Sequence, residues 1–427
     1  VILLFLLSAE ARTDLFARVY GGSEDDWPYS LVPCSDGGFA LAGHTRGFGS
    51  EGANILVAKL GFAGEPEWAI TLGGPSSEYG NSIIQTPEEG FVISGTTRSF
   101  GAGGSDAIVI KMRQDGEIEW VRVIGGTGNE CVYSLIQLPD GEIVCAGYTT
   151  SFGEGGSDIL VFTLSEDGEL IWAKAIGAGG SESATSLLRT DEGGFLAVGY
   201  RGNEPLVLCL GAGGEIIWAR LLGLEGGYIR TAISYPDGYI LAGWMKGANG
   251  YTDAVVVKLD QKGNPRWARS LGGKGQDWAS SLFSLPSGGF GLAGSISLGH
   301  YNFLIAKLSY AGEAEWTRTF GSPGWDAAMC ATLSTNGRIV VAGYTSGFGI
   351  GGDDILILVL GPEGDYPGCA VDCPITLAAL RLSSGGVSAE SRPCYPEIAA
   401  PEVNPRRISM GVIDVCAEPV PDKSTDE

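Results

Sequence analysis

Histidine is almost missing from this chain: there are two in 427 residues, His44 and His300. They sit in different parts of a repetitive sequence, and neither carries a Ser–His–Asp motif around it. A His-centred hydrolytic triad or a His-ligated metal centre therefore has little to build on. Positive charge is also scarce. Lys and Arg number 27 against 50 Asp and Glu, a net charge of −23. Such a surface repels phosphate backbones and anionic lipid, which excludes nucleic acid as a partner. It leaves cations, neutral glycans and proteins. Long apolar runs are absent too. Residues 1–7 form seven consecutive apolar positions, too few to span a bilayer. Followed by Ser8-Ala9-Glu10-Ala11, that run reads as the end of a secretory signal cleaved after Ala11, and so predicts a secreted or cell-surface protein.

What the chain has in excess is glycine, 69 residues. Glycine at that level with few charges suits many short strands joined by tight turns. Nine cysteines divide unevenly. Cys34, Cys131, Cys145, Cys209 and Cys330 are scattered, whereas Cys369, Cys373, Cys394 and Cys416 crowd the end of the chain. The crowding predicts disulfides there, with three possible pairings; a zinc site is the rival reading.

A repeat organises the rest. Trp68, Trp120, Trp172, Trp218, Trp267 and Trp316 each close a similar phrase, 46–52 residues apart. Within residues 82–125 four apolar runs alternate with turn signals such as Asp115-Gly116. Those runs are strands A, B, C and D of one unit. Strand C is apolar at nearly every position, as in Ile159-Leu160-Val161-Phe162, which predicts burial on both faces. Four-stranded sheets stacked radially satisfy that pattern. The A-B-C triplet occurs seven times, and the seventh lacks a D strand. An orphan D strand stands at 15–22, with Phe16 in the Trp position. The prediction is an all-β, seven-bladed β-propeller of four-stranded blades over residues 12–365. The N-terminal strand completes blade 7 beside residues 355–360, which removes an open edge. Residues 366–418 are predicted to form a small Cys-containing β appendage, with strands near Thr376 and Ile408, and 419–427 a disordered tail. The glycines that end strand B, among them Gly43, Gly95 and Gly147, and the Trp series are read as packing devices.

The phrases Ser35-Asp36-Gly37-Gly38-Phe39, Ala42-Gly43, Lys59-Leu60 and Trp68 resemble the secreted seven-bladed β-propeller repeat proteins of bacteria and archaea. The resemblance covers residues 13–365. It implies the fold and export, and no activity. The Gly-x-x-x-Trp phrase is also similar to quinoprotein dehydrogenases, but their cofactor and Ca²⁺ constellation has no match here.

Alternating strand direction puts the D–A and B–C connections on one face, and the longer loops with them. Function is expected on that face. Two features mark it. Four residues before each strand-A Ser, Thr or Cys stand Asp26, Glu78, Glu130, Glu182, Asp277 and Asp326, with Gly227 breaking the set. Such a ring is a candidate Ca²⁺ site; the competing reading has each acid accept hydrogen bonds from loop N–H groups. Blades 4, 5 and 6 also depart from the common B–C loop. They bring Tyr200, Arg201, Tyr228, Arg230, Trp244, Tyr251, His300 and Tyr301, the aromatic and polar set expected of a ligand-binding surface. Tyr228 and Arg230 are expected in a shortened D–A loop. The function predicted is an extracellular, non-catalytic binding or scaffold protein for a glycan or protein, with no cofactor beyond that candidate Ca²⁺. The alternatives are a cell-surface or filament subunit that self-associates through the tail, and a hydrolase or lyase at the central channel.

Overall fold

The computed structural model describes residues 15–366 apart from 50, 225, 248, 249 and 350, together with the backbone of seven short strands between 371 and 414. The signal-like start, the four C-terminal cysteines and residues 419–427 lie outside the described residues. The described chain forms seven antiparallel sheets arranged as the blades of a propeller. In blade 1, strands A to D are Asp26–Pro33, Phe39–Thr45, Asn54–Leu60 and Pro66–Leu72. Blades 2 to 6 repeat this order, and blade 7 takes Phe16–Gly21 as its D strand. That strand pairs in register with strand C of blade 7, Phe16 opposite Val359 and Tyr20 opposite Ile355. Among the described residues no helix is long and apolar enough to cross a membrane.

The core lies between blades. Each apolar cluster straddles a seam: Phe16, Tyr20 and Ile357 of blade 7, for example, pack with Leu41, Leu56 and Leu60 of blade 1. Strand C is buried along its whole length in blades 1, 2, 3 and 7 because both of its faces meet a neighbouring sheet. Burying one such Leu or Ile contributes about 1.5–3 kcal/mol, so each blade is stable through its neighbours. Trp68 and Trp120 latch the outer rim. Trp120 Nε1 donates to Glu166 O of the next blade at 3.1 Å, and Trp68 repeats the bond to Gln114 O at 3.0 Å. The Trp120 ring lies over Gly168 in the C–D turn of blade 3, where φ is +79° and an added Cβ would sit 3.0 Å from the ring. Cys34, Cys131, Cys145, Cys209 and Cys330 are buried free thiols.

The β appendage expected of the tail is not one packed unit. Its strands are spread around the ring as a belt, each adding a fifth, outermost strand to a different blade. Val371–Asp372 joins blade 6, Thr376–Leu380 blade 5, Gly385–Gly386 blade 4 and Glu390–Pro393 blade 3. Glu397–Ala399, Arg406–Arg407 and Gly411–Asp414 then join blades 2, 1 and 7. Each pairs antiparallel with the second half of a D strand. The belt therefore runs against blade order, and the last described strand lies beside the first.

Candidate site at the channel mouth

Strand A of every blade carries a one-residue bulge opposite strand B, at Tyr29, Asn81, Tyr133, Thr185, Arg230, Ser280 and Met329. A bulge leaves one residue outside the ladder and re-aims its side chain. All seven line the central channel, a cavity of about 580 Å³. The recurring strand-B glycine makes the bulge possible: a Cβ at Gly95 would run into the backbone of Tyr79 on strand A. The hydroxyls that follow the bulges link neighbouring A strands. Ser30 Oγ accepts from Ile83 N, Ser134 Oγ from Leu187 N and Ser281 Oγ from Ala331 N. The channel wall is thus hydroxyl-rich and fixed from blade to blade.

One layer up, at the mouth, a strand-A residue faces a strand-B residue in each blade. The pairs are Trp27–His44, Tyr79–Thr96, Cys131–Tyr148, Ser183–Tyr200, Tyr228–Trp244, Trp278–Ser295 and Ala327–Tyr344. Every pair supplies at least one aromatic ring, from strand A in some blades and from strand B in others. The rings touch across three of the seven seams. Tyr344 stacks on Trp27 at 4.4 Å, His44 meets Tyr79 at 5.1 Å, and Tyr200 meets Tyr228 at 5.0 Å. Tyr228 in turn stacks on Trp244 at 4.2 Å. The result is an aromatic collar around the channel. His44 belongs to it as a neutral ring: burial pushes its pKa down to about 4, with the nearby Arg46 charge acting the same way. Burial holds the Tyr228 and Tyr344 hydroxyls protonated, up to about 12, so they remain donors.

The six acids of the predicted ring are sealed beneath this face, none more than 2% exposed. Five of them accept the N–H of the residue four positions earlier, as in Gly126 N to Glu130 Oε2 at 2.8 Å and Gly273 N to Asp277 Oδ2 at 2.7 Å. Glu130 also accepts the Thr149 hydroxyl at 2.7 Å and Ser151 N at 3.3 Å. Each of these acids therefore staples its D–A crossover, and Glu130 reaches the B–C loop as well. A second set of groups, from the start of strand C, flanks the same crossovers. Asp354 and Asp26 crowd Gly21, Asp106 and Glu130 crowd Gly125, while Asn54 meets Glu78 and Asn302 meets Asp326. Burial pushes Asp26 up to about 6; hydrogen bonds from Thr45 and Gly22 oppose this, and the Asp354 charge adds to it. Burial likewise raises Glu182 and Asp277. Among the described residues no group of three or more His, Cys, Asp or Glu side chains could hold a metal ion.

The structure brings only some of the predicted ligand residues together. Tyr200, Tyr228 and Trp244 form one continuous stack over blades 4 and 5. Arg230 lies below them in the channel. Tyr228 and Arg230 are not in a loop, because strand A of blade 5 begins at Tyr228, immediately after Gly227. Shortening the D–A connection moved the crossover and left the strand intact. Arg201 is drawn away to Glu182, 3.1 Å from Nε to Oε1. Tyr251 is half-exposed on the outer part of its B–C loop. His300 lies beside Tyr301 at the end of the blade 6 loop, and Tyr301 packs between Trp278 at 4.7 Å and Trp325 at 5.3 Å. Trp325, 59% exposed, and the channel tyrosines Tyr29 and Tyr133 were missed, although an aromatic three residues after each acid position marks both tyrosines.

No family model matches the sequence, and no curated protein matches it. Solved structures that it resembles include a glucose dehydrogenase, at 10% identity over 65% of this chain and 95% of that one, TM-score 0.41. Another is Sqt1 from Chaetomium thermophilum, at 14% identity over 78% and 82%, TM-score 0.45. A GH43 endo-arabinanase from Bacillus licheniformis is similar at 12% identity over 81% and 98%, TM-score 0.30. The seven-bladed propeller architecture rests on the chain's own sheet topology, seven antiparallel sheets closed by strand Phe16–Gly21.

Proposed function

We propose that this protein is an extracellular, non-catalytic binding propeller that takes the end of a glycan chain into the mouth of its channel. The observation that carries this reading is the aromatic collar above a hydroxyl-lined cavity. Sugar rings present apolar C–H faces that stack on aromatic rings, and hydroxyls that pair with Ser, Thr, Tyr and Asn. A cavity of about 580 Å³ is of ligand size. The collar is held by hydrogen-bonded A strands and stapled loops, so little ordering cost falls on binding. The signal-like residues 1–11 support an extracellular location. Two other readings draw less support. The raised carboxylate of Asp26, which an acid–base enzyme would want, is fully buried and turned to backbone N–H. Assembly through the tail competes with pairings its strands already make to this chain's blades.

The test is a glycan array probed with residues 12–427 and with a Tyr228→Ala, Trp244→Ala double variant. Specific binding that falls at least tenfold in the variant is expected. Equal binding by both proteins would move the site off the collar, and no binding by the wild type would end the glycan reading.

A further inference from the structure

The electrostatics of the ring are uneven, and they converge on blades 4 and 5. Among the described residues, Arg230 is the one of fixed charge that lines the channel. Among the described residues its guanidinium makes no ion pair and no hydrogen bond. Its charge nevertheless reaches across the cavity, favouring the ionised forms of Tyr29 on blade 1 and Cys330 on blade 7 as well as Tyr228 beside it. An unpaired guanidinium in a half-open, hydroxyl-lined channel is a ready partner for a planar anion, which it grips through two parallel N–H groups.

The acid ring is silenced at this sector. Blade 5 has Gly227 where the other six blades have a carboxylate. On blade 4, Glu182 is compensated by Arg201 at 3.1 Å. Blade 5 keeps Asp253 beside Gly272, and burial raises its pKa, which favours the neutral form. So, in a chain with a net charge of −23, an unpaired cation stands in the channel beneath the Tyr200–Tyr228–Trp244 stack.

We infer that the channel selects acidic saccharides, with the carboxylate of a uronic-acid-type residue paired to Arg230 and its sugar ring packed against the edge of the Tyr200–Tyr228–Trp244 stack. This deepens the glycan-binding reading and rests on it. Thr231 lines the channel beside Arg230, and Thr185 also lines it, with its hydroxyl proton given to backbone carbonyls so that its oxygen is left to accept from a ring hydroxyl.

The experiment titrates the wild-type protein with oligogalacturonate and, separately, with the same oligosaccharide fully methyl-esterified, by calorimetry at 50 and 300 mM salt. The ester keeps the ring hydroxyls and removes the charge. The expected result is at least tenfold tighter binding of the free acid, a preference that shrinks at the higher salt. Arg230→Met is expected to bind acid and ester alike, and Arg230→Lys to recover part of the preference. A circular dichroism melt checks that both variants fold. Equal binding of acid and ester by the wild type, or a preference that survives in Arg230→Met, would overturn the inference and leave the glycan reading standing. Failure of the wild type to bind acid and ester, together with a blank array, would sink both. Binding of sodium benzoate as tight as that of the oligosaccharide would show a simple carboxylate site with no sugar recognition, and would also overturn it.

Discussion

Replacing Asp354 by Asn should stabilise the seam that closes the ring, and only where both of its carboxylates are charged. Asp26 and Asp354 belong to blades 1 and 7, are essentially fully buried, and crowd the same glycine, Gly21. Burial lifts Asp26 from 3.8 to about 6, and the Asp354 charge contributes in the same direction. A folded pKa above the unfolded one makes the protonated form the stable one. Stability from this group is full below about pH 4 and is lost as the pH rises through 6. A shift of that size corresponds to about 3 kcal/mol at neutral pH. Removing the like charge recovers part of it, on the order of 1 kcal/mol. For a ring of this length that is a rise in Tm of about 1–2 °C. The protein already contains the substitution elsewhere. Asn54 and Asn302 hold the equivalent position in blades 1 and 6, facing Glu78 and Asp326. Asn54 even packs against a loop glycine, Gly49, as Asp354 packs against Gly349. Scanning calorimetry of wild type and Asp354→Asn at pH 7.5 and pH 4 measures the effect. A gain of the same size at both pH values, or a loss at pH 7.5, would refute the like-charge argument.

Two further perturbations test the latches and the belt. Gly168→Ala should cost about 2 kcal/mol, from a positive φ and from the Trp120 ring 3.0 Å from the new Cβ, whereas Gly337→Ala, with a φ of +80° and open space around it, should cost about 1 kcal/mol; equal costs in chemical denaturation would remove the Trp latch from the account. Ending the chain at Tyr366 should uncover the outer edge of seven D strands and produce concentration-dependent association by light scattering, and a truncated protein that stays monomeric would show that the belt does not protect those edges.

The blades and their closure were legible because they are written in hydropathy and turn residues at a fixed period. Ile159-Leu160-Val161-Phe162 can only be a strand buried on both sides, and Phe16 falls one repeat before Trp68. The collar was not legible, because its rings come from strand A at Tyr79 and Trp278 but from strand B at Tyr148 and Tyr200. No single column of the repeat shows it, and only strand register brings the two columns together. The bulges left no trace in hydropathy either, since one extra residue such as Arg230 or Asn81 looks like ordinary loop drift. That is why Arg230 was assigned to a loop. The belt was hidden for a related reason. Strands of two to five residues carry no alternation to read, and their partners are D strands distant in sequence, as with Arg18 opposite Asp414.

Because Gly411–Asp414 pairs antiparallel with Phe16–Gly21, with Arg18 opposite Asp414, the start of the first described strand and the end of the last lie side by side at the same end of one sheet. A force that separates those ends would load the inter-strand hydrogen bonds one after another, like a zip drawn from its open end, rather than all together as in shear. Tension between the two ends would therefore open the molecule at blade 7 first. The belt would then come away blade by blade, beginning with blade 1, before the blade-to-blade seams were strained. Held by one end alone, the same protein carries no load across that sheet, so the way it is attached decides how firmly its ring stays shut.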